Sequence, residues 1–236
     1  GFTAGIVGMV VLGFLNAFGI EVETKALANT ESPFILYGLL IGLCLILLAT
    51  SFYLHVQKKE KYHFKLLLKL SGRLPSDFVE MTNLATVTFN MSIMGFILLG
   101  YVLINGGQLN GPIVGSIIGA MSFGAFGNQV KNTVPVLVGI MIGCYLTGVD
   151  VASTSALVAA IFGTTLAPVS GYYGPLAGVI AGFVHITLVS HVVVMHGGLN
   201  LYNNGFAGGF VAAVLVPIFE IFEGIRQDIK ERKAEG

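Results

Sequence analysis

Nine polar residues set in otherwise apolar sequence are the groups that could do chemistry: Asn90, Asn128, Lys131, Asn132, Thr133, Thr164, Thr165, His185 and His191. From Met81 to Phe219 only Lys131 and Asp150 carry a formal charge. Polar groups held in hydrocarbon are costly, so they either pair with one another or line a wet path.

The first group lies in FGNQVKNTVP. Asn128, Lys131, Asn132 and Thr133 form either an inner-face loop or a break in a membrane segment, with amides and an ammonium facing a solute. In the second case Pro135 opens the next half-helix, whose positive N-terminal end suits anions or carbonyl oxygens. The second group is IFGTTLAPVSGYYG. There Gly163, Thr164, Thr165 and Pro168 interrupt a short apolar run, giving a kinked packing helix or a pore-lining break whose hydroxyls satisfy freed carbonyls. In the third, His185 and His191 stand six residues apart. They are therefore about 120° apart around a helix and form no metal site by themselves. Hydrogen-bonded structural histidines are the simpler reading. His196 to Asn204 reads as an outer loop. Asn90, with Ser92 nearby, sits where bonding between helices is the ordinary use of an amide.

No catalytic set is legible. Asp150 reads as solvated in an outer loop, and Glu220 and Glu223 as close enough to an inner surface to reach headgroup water. Zinc-ligand spacings, phosphate-binding loops and nucleophile elbows are missing from the sequence, so no cofactor or metal is assigned. Cys44 and Cys144 lie in apolar runs and read as free buried thiols.

The elements that must position these groups follow from composition. The 236 residues are 55% hydrophobic and 10% charged, with a mean hydropathy of +0.86; soluble domains carry about 25% charged residues. The expected fold is an all-α polytopic transmembrane helical bundle. Eight hydrophobic segments are legible, at 1–20, 34–56, 84–104, 111–127, 134–148, 155–169, 174–195 and 205–222. A crossing needs about 20 helical residues. The three segments between 111 and 169 are shorter, which predicts broken or re-entrant helices. GxxxG spacings at Gly38/Gly42, Gly115/Gly119, Gly139/Gly143 and Gly178/Gly182 predict close helix packing.

Orientation follows from the basic residues. The connection QKKEKYHFKLLLKLSGRLP and the tail with Arg226, Lys230, Arg232 and Lys233 are both placed in the cytoplasm, and the acidic stretch EVETKALANTESP outside. Six crossings between the basic loop and the tail return the chain to the same side. The protein is thus expected as a multi-pass protein of the cell (plasma) membrane. Tyr62, Leu66, Leu67 and Leu70 share one helical face of the basic connection and its lysines another, predicting an amphipathic inner-surface segment at 57–73.

The chain ends as it begins. Aligning 1–19 with 205–223 gives identities at Gly1/Gly205, Phe2/Phe206, Gly5/Gly209, Val7/Val211, Val10/Val214 and Phe18/Phe222. The expectation is a fragment of a two-repeat protein: residues 1–20 are the last helix of a preceding repeat, 21–33 an outer loop, 34–223 the second repeat, and 224–236 a basic tail. The equivalent helices are seven segments apart, an odd number, which makes the repeats inverted. GPIVGSIIG at 111–119 is echoed by GPLAGVIAG at 174–182.

The run from LPSDFVEMTN through KNTVPVLVG, IFGTTLAPVSGYYGPLAG and HGGLNLYNNGFAGGFVA resembles a family of uncharacterised prokaryotic integral membrane proteins, domain of unknown function 1576. The resemblance implies two related halves and no established activity, so it carries over no functional residue. An architectural likeness to urea-transporter-type channels rests on Gly-rich broken helices, without a shared motif. The function expected is a transporter or channel for a small polar solute, not an enzyme; an intramembrane enzyme and a structural or sensory scaffold are the alternatives. Expected partners are the lipid bilayer, the solute, the missing first repeat of the chain and a second copy in a homo-oligomer. Zero net charge points to no nucleic acid.

Overall fold

The computed structural model describes residues 2–20, 32–73, 77–192 and 200–234, with side chains described for 2–20, 32–73, 77–192 and 203–232. The described residues are helical, without strands. Their α-helices are α1 (Phe2–Ala17), α2 (Pro33–Gln57), α3 (Phe64–Leu67), α4 (Phe78–Met81), α5 (Leu84–Ile104), α6 (Gly111–Ser122), α7 (Val130–Thr147), α8 (Thr154–Gly163), α9 (Ala167–Tyr173), α10 (Pro175–Val192) and α11 (Asn200–Ala234). Short 3-10 turns extend α6 (Phe123–Ala125) and join α8 to α9 (Thr164–Leu166). Among the described residues six stretches are long and apolar enough to cross a membrane, with Thr154–Tyr173 counting as one; Phe2–Ala17 and Gly111–Ala125 are shorter apolar helices. The acidic stretch 21–31 and His196 lie outside the described residues.

Helix directions follow from side-chain pairings. Ser92 donates to the Cys44 carbonyl (2.9 Å) and Ser51 to the Ala85 carbonyl (2.6 Å), so α2 and α5 run antiparallel. Helices α7 and α10 form the tightest pair. A Cβ added at Gly139 would meet the Val179 carbonyl, and one at Gly182 the Val136 carbonyl. Gly178 faces Pro135 and Gly143 faces Ile186, so residue numbers rise together and the two helices are parallel. The 154–173 unit between them must therefore run back the other way.

Helix α6 ends early. Asn90, six residues into α5, donates to the carbonyls of Gly124 and Asn128, both at 2.8 Å. The turn after α6 thus stops about 9 Å short of the start of α5. The basic connection fills the remaining space. Instead of the expected amphipathic helix it is an irregular strap with a single turn, α3. Leu67 is buried with Phe78 and Val87 in a small second core that also takes in Phe64, Leu70, Met91 and Ala125. Apolar positions read as membrane-facing are used to cover protein at this point: Leu67 is fully buried, while Leu66 stays exposed. Gly72, at φ +80, brings the strap backbone against the Gly127 carbonyl, where a Cβ would not fit.

Candidate functional site

The sequence brings its candidate residues to three different places. The 128–133 cluster lies in the turn after α6 and the first residues of α7. Helix α7 begins at Val130, four residues before the apolar run, because Gln129 and Asn132 form a capping box: Gln129 Oε1 accepts from the Lys131 N–H (2.6 Å) and Asn132 Oδ1 from the Gln129 N–H (2.9 Å). Pro135 therefore lies inside the helix and does not start a half-helix. The remaining donors hold the strap. Gln129 Nε2 reaches the Leu68 and Leu70 carbonyls at 3.4 Å each, and Asn132 Nδ2 the Ser71 carbonyl at 3.2 Å. Lys131 is exposed at this end, and Thr133 is buried with its hydroxyl on Asn132 Oδ1. Asn90 and Asn128 belong to the same structural corner. His191 is exposed, its Nδ1 2.7 Å from the Thr187 carbonyl of its own helix.

Thr164, Thr165 and His185 come together elsewhere. The helix is interrupted where Gly163, two threonines and Pro168 predict it. Gly163 ends α8 and a 3-10 turn follows; Pro168 sits in the first turn of α9, where its missing N–H has no helical partner to lose. Thr164 is buried and donates to the Ile161 carbonyl. Thr165 lines a cavity of about 640 Å³ with Phe2, Arg73, Tyr172, Tyr173 and Gly208. A second cavity of about 200 Å³ lies at the other end of α8, lined by Val149, Ser155, Ala159, Ser190, Asn203 and Asn204.

Between the two lies His185. Its ring is fully buried, and Nε2 is 3.2 Å from Asn204 Oδ1. Nδ1 has no hydrogen-bond partner among the described residues; the Ala159 carbonyl approaches the ring without completing one. Two glycines make room for the ring. A Cβ at Gly163 would come within 2.9 Å of His185 Cδ2. One at Gly208 would lie 4.0 Å from Nδ1 and 3.3 Å from Thr165 Oγ1.

Asn203 and Asn204 fall in the stretch expected to be an outer loop, and the structure differs. They lie in the first turn of α11, which starts at Asn200, and both are buried. Their position after a histidine-glycine stretch looks like a loop locally, and only the packing of α11 against α8 and α10 buries them.

At the opposite end of the larger cavity the strap meets α11. The Arg73 guanidinium lies 4.5 Å from the Tyr172 ring centroid and donates to Glu220 Oε1 at 3.4 Å. Tyr173 donates to the same oxygen at 3.2 Å. Sequence reading missed this group because its members lie 147 residues apart, from Arg73 to Glu220. Among the described residues no group of three or more His, Cys, Asp and Glu could hold a metal ion.

A family model described as "Protein of unknown function (DUF1576)" matches residues 56–221, and the chain belongs to that family. No curated protein and no solved structure matches the chain.

Proposed function

We propose that this DUF1576 family member moves a small polar solute across a cell membrane, through the line formed by the two cavities and the His185–Asn204 pair between them. One observation carries the reading. In a bundle of membrane-crossing helices, a buried histidine with an unsatisfied nitrogen stands beside a 3-10 turn in a helical stretch, with mainly apolar cavities toward its opposite ends. Interrupted helices at mid-membrane are where transporters bind their cargo, and irregular backbone is tolerated there because it lines a cavity.

The path is shared with a second half of the protein. Phe2 of α1 forms part of the larger cavity's wall. Helices α1 and α11 exchange equivalent contacts: Phe206 packs on Gly5, and Phe2 on Gly209. In the alignment Phe2 corresponds to Phe206 and Gly5 to Gly209, so each contact is the image of the other under a two-fold operation. That reciprocity favours a two-repeat architecture, and an even number of intervening crossings, here the six segments between α1 and α11, would make the repeats inverted. The strap at 57–73 and the end of α11 then face the cytoplasm.

The test is accessibility from the two sides. Single cysteines introduced as Thr165→Cys and Ser155→Cys in the full chain, with Cys44 and Cys144 replaced by Ala, are treated with membrane-impermeant thiol reagents in oriented vesicles. Labelling from opposite faces is expected, Thr165→Cys from the inner one. Labelling of both from one face would remove the path.

A further inference from the structure

We infer that the solute is neutral and recognised through its own N–H or O–H donors; this rests on the transport reading above. The geometry between the cavities is that of an acceptor pair. Asn204 presents its amide oxygen to His185 Nε2, and on that orientation the ring proton is assigned to Nε2. A neutral ring then leaves Nδ1 as a bare acceptor. It lacks a partner among the described residues, and it faces the position that a side chain at Gly208 would fill. Gly208 lines the larger cavity, while the ring is fully buried and lines neither cavity, so a solute would reach the ring past that glycine. In the smaller cavity the unsatisfied buried atom is again an acceptor, Asn203 Oδ1. Both residues are at most 1% exposed, so water does not answer for them as it would at a surface.

Charge narrows the class further. Among the described residues no charged side chain lines the smaller cavity, and the larger has only Arg73, at its far end, engaged by Glu220 and Tyr172. An anion at the histidine would meet lone pairs with no cation beside them, and a cation would find no carboxylate. Either charge would be desolvated without compensation. A solute bearing two donors can satisfy one acceptor as it leaves the other, which keeps the passage shallow.

The experiment measures flux into proteoliposomes of the full chain with four probes: glycerol and malonamide as neutral multiple donors, trimethylamine N-oxide as a neutral dipole without donors, and chloride. Protein-dependent flux of glycerol and malonamide is expected to exceed that of the other two by about tenfold, the discrimination a buried unmatched hydrogen bond supplies. If trimethylamine N-oxide or chloride passes as fast as the donors, the donor inference falls while transport stands. If none of the four shows protein-dependent flux, both readings fall. Gly208→Ala places a methyl group in front of the ring and should lower malonamide flux about tenfold. Unchanged malonamide flux in a variant with the native elution profile would remove His185 from recognition.

Discussion

Phe206 rests on the bare Cα of Gly5: a Cβ at Gly5 would lie 2.7 Å from the Phe206 Cβ. The same contact recurs with the helices exchanged, Phe2 resting on Gly209, and the two phenyl rings approach to 5.6 Å between centroids. Gly13 of the same helix has open space beside it. Gly5→Val should therefore destabilise the protein by about 2 kcal/mol through overpacking, while Gly13→Val should have little packing effect. Thermal unfolding in detergent, with the midpoint falling only for Gly5→Val, checks it.

The parallel α7–α10 pair is closer still. Carbonyl oxygens occupy the places where side chains at Gly139 and Gly182 would stand, and backbone cannot swing aside as a side chain can. Gly139→Ala and Gly182→Ala are expected to cost about 3 kcal/mol each. Gly115→Ala, in open space on α6, should be neutral or stabilising by up to about 1 kcal/mol through helix propensity. Equal losses at all three positions would contradict the packing described.

Asn90 Nδ2 holds two carbonyls of the turn after α6, so its removal compares stability with passage. Asn90→Ala leaves the Gly124 and Asn128 carbonyls unsatisfied in a buried corner, at about 3 kcal/mol for the two. Flux per folded molecule should stay at the native level. A variant of native stability but reduced flux would return Asn90 to the path.

The Arg73–Glu220 contact is half-exposed on both sides, at 48% and 52%, and such pairs contribute about 0–1 kcal/mol. Glu220→Gln should leave the unfolding midpoint nearly unchanged. Its effect should instead fall on the strap: Thr165→Cys should label severalfold faster from the strap side once Arg73 and Tyr173 lose their shared carboxylate. Unaltered labelling would show that the strap does not depend on this contact.

Local chemistry made part of the site legible. Gly163, Thr164, Thr165 and Pro168 announce an irregularity in the helix because each acts on its own backbone, and the structure has a 3-10 turn there within the stretch Thr154–Tyr173. Gln129 and Asn132 are not legible as a cap because amides that cap a helix and hold a strap are the same residue types as amides that meet a solute. The difference lies in what stands opposite, here the carbonyls of Leu68, Leu70 and Ser71.

The sequence by itself determined the class of protein and the number of apolar segments, since burial in lipid responds to composition and length, which are local sums. Tertiary structure alone decided that the basic strap plugs the space beneath a short α6, that Asn203 and Asn204 are buried in a helix, and that His185 stands between two cavities. Each of these depends on contacts between residues far apart in the chain, and such contacts leave no periodic signal in the segments that make them.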